Sequence, residues 1–482
     1  MSNLATILWR SAERFPGAIS LVGKQGAYSY PELVNQVTRT GKMLSERSIE
    51  PGDAVLYQIS NSPAVTTLFF AILSRGAVAV PVNPQWTSRE FQVARERCHA
   101  KLAISEREDV SPDLLATCIE DLVTGEDVVE DGPVAREDAD TAAVFFSSGT
   151  TGRPKAISLS HQNLMSNAEW VATRSLPSHA WGPGTHTCAV LPLSHSFALT
   201  CNQNAALYAG SALSYLDRFD SGELLHQIRN LNVSVTALVP SAASQLLDAQ
   251  ARAPGDVPLK YCLIGGAPIS AALVDRFERA FDVTVVEGYG LTETSPVCAF
   301  RTPDTARKPN SVGVAAGHAE LNVLDEAGRR VPSGTGELLV RGPGVCARYL
   351  DEEVATEDGW LKTGDLARID QEGHVFIEGR LKDIIIRNGY NVSPVEVEQA
   401  LEAHPGVDEA GVVGIADANV GEEIVAAVVV RSDAVTVEDL CGACVSALAR
   451  YKQPDRILRV ASIPKGAKGQ VLRDALRAQI LT

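Results

Sequence analysis

Short apolar runs recur along the chain up to Val286, each followed by a loop and then by residues at helical spacing. Ala54–Ile59, Ala77–Val82, Thr187–Leu193, Ser234–Val239, Tyr261–Ile264 and Val283–Val286 are such runs, while Ser60–Leu73, Ser88–His99 and His161–Leu176 are helix-like. A continuous apolar run fits a strand buried on both faces, and its alternation with helices predicts an α/β layer structure.

At 482 residues the chain exceeds what one ordinary core accommodates, so more than one unit is expected. The composition, 45% hydrophobic and 21% charged, is that of a globular protein. A formal charge of −16 argues against nonspecific binding to nucleic acid or an anionic membrane. An anionic substrate would therefore need locally placed cations. Met1–Leu21 lacks a basic segment followed by an apolar run, so no signal peptide is expected. Ala64–Val82 is the most apolar region, but Arg75 interrupts it and Pro81 closes it, which reads as core and not as a membrane span. Of nine cysteines only Cys441 and Cys444 are close in sequence, and a lone CxxC in a helical segment reads as structural. A reducing, cytoplasmic setting fits. Glu106–Asp140, acidic and aperiodic, reads as a surface excursion.

The pattern changes near Arg380. Glu337–Arg341, Ala367–Ile369 and His374–Ile377 are strand-like and precede it. Beyond it, Ser393-Pro394-Val395-Glu396 predicts a helix start: serine caps, proline suits the first turn, and glutamate completes a capping box. That helix should end near Ala403, before Pro405-Gly406. Val407–Ile415 and Glu423–Val430 are expected strands, and Val437–Leu448 and Val471–Ile480 expected helices. The fold class is thus α/β, with a large multi-layer N-terminal domain, residues 1–379, and a small α+β C-terminal domain, residues 380–482.

Candidate chemistry clusters in loops. Between the expected strands Ala142–Phe146 and Ala156–Ser160 lies Ser147-Ser148-Gly149-Thr150-Thr151-Gly152-Arg153-Pro154-Lys155. Glycines let successive N–H groups face one point, hydroxyls add donors, and Lys155 adds a mobile charge, a concavity suited to polyphosphate. A solvated Gly/Thr hairpin is the alternative. The spacing is not that of a P-loop, whose lysine directly follows glycine. Gly265-Gly266-Ala267-Pro268 and Glu287-Gly288-Tyr289-Gly290-Leu291-Thr292-Glu293-Thr294 each follow an apolar run as loops, and ligands of α/β sheets gather beyond strand carboxyl ends. Tyr289 offers an aromatic face, Thr292 a phosphate contact, and Glu293 a hard oxygen for Mg²⁺. Asp365, read as part of a tight loop in Leu361–Leu366, could accept two ribose hydroxyls or cap a turn. Arg380 supplies a cation at the junction or forms a surface salt bridge. HExxH and GxSxG are absent.

Together SSGTTGRPK, GGAP, GYGLTET, KTGDLA and GRLKDIIIRNGYNVSPVEVE resemble the adenylate-forming superfamily of acyl-CoA synthetases, nonribosomal peptide adenylation domains and luciferases, most of all its acyl-CoA ligase branch. The resemblance runs from about Tyr30 to the C-terminus in the family's motif order. It implies two half-reactions: a carboxylate attacks ATP–Mg²⁺ to give acyl-AMP and pyrophosphate, and the thiol of coenzyme A or a carrier then displaces AMP. It assigns Ser147, Ser148, Gly149, Thr150, Thr151, Gly152 and Lys155 to the β- and γ-phosphates, and Thr292 and Glu293 to the α-phosphate and Mg²⁺. Gly266, Ala267, Glu287, Gly288, Tyr289 and Gly290 would border the adenine, and Asp365 and Arg380 the ribose. The small domain of the family is mobile, with a pivot at the position of Lys382, and Gly389 and Tyr390 would border the pantetheine tunnel. His195, in Pro192–Phe197, would line or gate the acyl site. Phe197, Ala198 and Leu199 follow it, with no acid before Asp217, which favours an uncharged acyl or aryl acid over an amino acid.

One position departs from the family. PKGAKGQVLR, residues 464–473, carries Gln470 where the resemblance implies an essential lysine. Losing one placed donor to a developing anion costs about 10²–10³ in rate. Three explanations stand: Lys468, about 6.6 Å away along an extended segment, takes the role; the protein works on acyl-AMP made by a separate adenylating enzyme; or glutamine replaces a native lysine by engineering. The leading expectation is a carboxylic acid–CoA ligase, restricted to one half-reaction if Gln470 is decisive. The alternatives are transfer of acyl-AMP to an acyl carrier protein or amine, and a non-catalytic nucleotide-binding homologue. The expected partners are a small carboxylic acid and CoA, with no nucleic acid and no membrane span.

Overall fold

The computed structural model describes residues 3–107, 132–147, 155–350, 354, 356–388, 390–417, 420–432, 434–466 and 469–481. Its largest sheet runs in the order Val314–Ala315, Val297–Phe300, Thr284–Gly290, Tyr261–Ile264, Val235–Leu238, His186–Ala189, Ala212–Tyr215, Ile19–Gly23 and Gly26–Ser29. The six strands from Thr284–Gly290 to Ile19–Gly23 are parallel. Helices cover such a sheet, so its strands bury both faces and read as unbroken apolar runs. Val235–Leu238 is buried throughout.

A second sheet is ordered Arg348–Tyr349, Lys155–Ser160, Thr141–Ser147, Val78–Pro81, Ala54–Gln58 and Leu102–Ser105. The helix Pro63–Ser74, from the most apolar region, is buried from Ala64 to Ser74 within the main core. Among the described residues no helix is long and apolar enough to cross a membrane. A third sheet, antiparallel, joins Glu320–Leu324, Gly334–Arg341, Trp360–Ile369 and Val375–Arg380, with short strands at its edges.

From Ile385 onward the chain builds a separate core. Tyr390–Val392, Ile385–Arg387, Gly421–Val430 and Val407–Asp417 form one sheet, and Arg456–Arg459 adds to Gly421–Val430 in parallel. The helices Pro394–Glu402 and Val437–Ala447 bury Val397, Leu401 and Leu440 against Val412, Ile424 and Val428. The helix Arg473–Leu481 seals the other face through Leu476, with Val413 and Val425.

Three local expectations change. Glu287–Gly290 is not a loop: it continues the strand Thr284–Gly290 and pairs antiparallel with Val297–Phe300. Asp365 is not in a tight loop but inside the ten-residue strand Trp360–Ile369, where Gly364 takes φ +72 beside an irregularity in the ladder. Glycine-rich text hides both strands, because glycine is depleted in sheets except where the backbone bends or another segment approaches closely. The expected capping box at Ser393 is only half made: Ser393 Oγ accepts from Glu396 N at 3.3 Å, while the Glu396 carboxylate turns to Lys452 Nζ at 2.7 Å. Complete boxes form at Ser29–Glu32, Thr87–Glu90 and Ser160–Asn163.

Candidate active site

At the carboxyl end of the parallel sheet, the strand Thr284–Gly290 parts from its neighbours to meet Val297–Phe300, with Tyr289 opposite Ala299. The approach is tight. A Cβ built on Gly290 would lie 1.6 Å from the Pro296 carbonyl oxygen, so only glycine fits. The bend brings the Tyr289 hydroxyl to Asp365, which accepts from it through Oδ2 at 2.5 Å. Asp365 is the cross-strand partner of Arg380, whose Nε stands 2.9 Å from Oδ1. Burial raises the Asp365 pKa above the usual carboxylate range; the Arg380 charge and the Tyr289 donor oppose that rise, while Asp383 and Glu293 add to it. Burial, then the Asp365 charge, holds the Tyr289 phenol protonated well above its ordinary range. A carboxylate with two fixed donors and further lone pairs can still accept a diol.

A second group gathers around Glu293. Ser147 and Lys155 are paired at the mouth of the hairpin Thr141–Ser160, and the expected phosphate residues Ser148, Gly149, Thr150, Thr151 and Gly152 lie outside the described residues. Lys155 is exposed, with Nζ 3.5 Å from the Tyr349 hydroxyl and 4.7 Å from its ring centroid. Tyr349 in turn donates to Glu293 Oε1 at 3.3 Å. Glu293 lies in the single turn Thr292–Thr294, where Thr292 is buried. Its carbonyl accepts from Cys346 N at 2.8 Å, and the Thr294 carbonyl accepts from Asn167 Nδ2 at 3.0 Å. Asn163 Nδ2 donates to the carbonyls of Pro343 and Val345 at 2.7 and 3.0 Å. Two amides one turn apart on the helix His161–Arg174 therefore brace both the Glu293 turn and the segment leading to Tyr349. The sequence by itself points to none of Asn163, Asn167 and Tyr349. Asn163 and Asn167, buried at i and i+4, leave a faint periodic signal; Tyr349 leaves none, because its strand is two residues long.

Beside the strand Thr284–Gly290, a Cβ built on Gly265 would lie 3.1 Å from the Gly288 carbonyl oxygen and 3.5 Å from the Phe197 ring. Gly266 takes φ +84, a Cβ built there would lie 3.5 Å from Val239 Cγ1, and Ala267 beside it is half-buried. Phe197 rides on a helix opened at His195, which passes through a π-helical turn, Leu199–Asn204, and ends at Gly210. His195 is half-buried. The Glu287 carboxylate is buried against Arg301 Nε at 3.3 Å. Burial raises its pKa and Arg301 opposes the rise. This side chain is committed to an ion pair, so an adenine beside Glu287 would meet backbone.

The Gln470 turn is closed by Gly466 N donating to the Gln470 carbonyl at 2.9 Å and by Gly469 N to the Gly466 carbonyl at 2.8 Å. The Gln470 amide folds over Gly466: a Cβ there would lie 2.2 Å from Nε2. Lys465 is held by Glu409 at 2.7 Å. Lys468 and Gly389 lie outside the described residues. Lys382 is exposed in the turn Leu381–Asp383. Tyr390, 55% exposed, stacks on Tyr451 with ring centroids 4.6 Å apart.

The AMP-binding enzyme family model matches residues 8–350, and the AMP-binding enzyme C-terminal domain matches residues 396–470. A 4-coumarate–CoA ligase-like protein of Oryza sativa subsp. japonica is 32% identical over 96% of this chain and 86% of its own. An oxalate–CoA ligase of Arabidopsis thaliana is 30% identical over 98% and 97%. Among solved structures, ATP-bound MatB from Rhodopseudomonas palustris superposes with a TM-score of 0.87 at 27% identity, covering 99% of both chains. The o-succinylbenzoate CoA synthetase of Bacillus subtilis, in complex with its acyl-adenylate intermediate, gives 0.84 at 26%, covering 99% and 98%. The chain belongs to the adenylate-forming superfamily of AMP-binding enzymes, in its acyl-CoA ligase branch.

Proposed function

We propose that the protein is a carboxylic acid–CoA ligase that handles an uncharged acyl or aryl acid as its acyl-AMP. The observation that carries this reading is the chain Tyr289–Asp365–Arg380, which draws residues of two sheets to the carboxyl end of the parallel strands. Asp365 would accept the ribose hydroxyls, Arg380 would stand beside them, and Gly266, Ala267, Gly288 and Tyr289 would border the adenine. Lys155 would neutralise the β- and γ-phosphates together with Ser147 to Gly152, and Thr292 would meet the α-phosphate. Glu293 suits Mg²⁺, since it is a half-buried hard oxygen that no cation occupies as an ion pair among the described residues. Such an ion, bound there, supplies charge stabilisation to phosphate oxygens. Phe197, Val239 and the bare backbone of Gly265 support an apolar acyl wall near His195.

In this reading residues 1–379 hold nucleotide and acid, and residues 380–482 turn about Lys382 to present Gly389 and Tyr390 to CoA. Gln470 brings no charge and Lys465 is engaged by Glu409, so the adenylation step is slow unless Lys468 serves it. The test is carboxylate-dependent ATP–pyrophosphate exchange, alongside thioester formation from supplied acyl-AMP and CoA. A ligase limited to its second half-reaction gives thioester only from supplied acyl-AMP, and Gln470→Lys raises its exchange by about 10²-fold. An acyl-AMP consumed only with a carrier protein or an amine would instead identify another acceptor. Silence in both assays, with AMP still bound, would sink the catalytic reading.

A further inference from the structure

We propose that Tyr349 is a positioning residue which holds the Lys155 ammonium and the Glu293 carboxylate apart, both directed at one metal–polyphosphate group. The inference rests on the nucleotide reading above. Its basis is the register of two strands far apart in sequence. Arg348–Tyr349 pairs antiparallel with Lys155–Ser160, and Tyr349 is the partner of Ile157. Lys155 precedes Ile157 by two residues, so it lies on the same face as Tyr349, at the diagonal separation that long and aromatic side chains can span. The Lys155 ammonium accordingly sits 4.7 Å from the Tyr349 ring centroid and 3.5 Å from its hydroxyl, and that hydroxyl donates to Glu293 at 3.3 Å.

The phenol thus stands between two opposite charges that make no ion pair with one another. A direct ion pair would hold the two charges to each other, and a ligand needing both would first have to break it. The ring offers the ammonium a weaker, neutral resting place. Because the Tyr349 proton is directed at Glu293, an oxygen lone pair is left toward Lys155. Each charge is thereby oriented without being neutralised. The Cys346 amide, donating to the Glu293 carbonyl three residues before Tyr349, ties the same segment to the turn and fixes the spacing.

The test uses the full-length protein and titration calorimetry with three probes: Mg²⁺–ATP, Mg²⁺–pyrophosphate and AMP without metal. Tyr349→Phe keeps the ring and removes the relay; Tyr349→Leu removes both. The Phe variant should lose about tenfold in affinity for the two Mg²⁺ complexes, or about 1.4 kcal/mol, and under twofold for AMP. The Leu variant should lose more. In the background of Glu293→Gln, Tyr349→Phe should cost little further, the non-additivity expected of groups acting through each other. Equal losses for AMP and Mg²⁺–ATP, full additivity with Glu293→Gln, or a Phe variant that binds like wild type would each overturn the role of Tyr349. Should the wild type bind neither AMP nor Mg²⁺–ATP, the nucleotide reading itself fails. Thermal melting checks both variants, and the conservative Phe variant decides the matter if the Leu variant does not fold.

Discussion

Gly469 rests on Ser241. A Cβ built at Gly469 would stand 3.2 Å from Ser241 Oγ, and the φ of +80 there already favours glycine. Ser241 belongs to the first turn of the helix Pro240–Arg252, next but one to Val239, which faces Gly266. The turn that carries Gln470 therefore touches the large lobe at the edge of the proposed acyl wall.

Bulk at that contact should separate the half-reactions. Ser241→Phe is expected to hold the Gln470 turn off the large lobe, lowering the ratio of pyrophosphate exchange to thioester formation about tenfold or more. Both rates would be measured in the Gln470→Lys background, where exchange is expected to be strong enough to quantify. An unchanged ratio would mean that the contact plays no part in adenylation.

The carboxylate between Tyr289 and Arg380 leads to a binding prediction. Hydrogen bonds to a charged group contribute about 1.5–3 kcal/mol each. Asp365→Asn should thus weaken AMP by about 10- to 100-fold, measured by calorimetry. The same substitution should leave 2′,3′-dideoxy-AMP, which lacks the hydroxyls to be accepted, nearly as well bound as before. A parallel loss for both ligands would assign Asp365 to fold stability instead.

How far the sequence discloses this molecule depends on the kind of element. Tyr261–Ile264, a buried parallel strand, appears in the text with its exact bounds because continuous apolar residues have few alternative uses. The start of the helix at Ser393 is equally plain, although the partner of Glu396 is not: Lys452 is distant in sequence, and only tertiary packing brings it near. Strands through Gly288–Gly290 and Gly364–Asp365 are hidden, since their stability comes from the pairing partner and not from their own residues. For the same reason the motifs suggest which loops carry polar chemistry but not that Asp365 faces Arg380 across a ladder, nor that Tyr349 adjoins Lys155. Those relations are set by register, which local composition does not encode.

Within the small lobe, Arg473 and Glu398 form a buried pair. Their side chains are 12% and 9% exposed, with Nη1 2.5 Å from Oε1 and Nη2 3.2 Å from Oε2. Arg473 also donates to the Val412 carbonyl at 2.7 Å and lies 3.6 Å from Asp383. Removing one partner strands the other in a place that water reaches poorly. Arg473→Met should destabilise this lobe by about 3–5 kcal/mol, and Arg473→Met with Glu398→Leu should recover most of that. Hydrogen exchange of the Val407–Asp417 amides in the intact protein provides the measurement.

Glu402 gives the lobe a pH dependence of definite sign. Burial first, and then the charges of Glu398 and Glu409, lift its pKa from 4.5 to about 7, against the Ala410 N–H and Lys465. A group whose folded-state pKa is raised contributes most below its ordinary value, and that contribution is lost as pH rises through about 7. Glu402→Gln should therefore flatten the fall in stability between pH 5 and pH 8, a difference of about 1–3 kcal/mol. Melting curves at the two pH values, wild type against variant, decide it.

Arg380 ends the strand that meets Asp365 and directly precedes the turn from which the last hundred or so residues are hung. In the proposed reading the side chain beside the ribose thus stands just ahead of the turn that holds the pivot Lys382. A swing of the tail about that pivot would then reach the guanidinium, and loosening of the guanidinium would slacken the turn. Release of spent nucleotide and the resetting of the tail would in that case need no separate messenger.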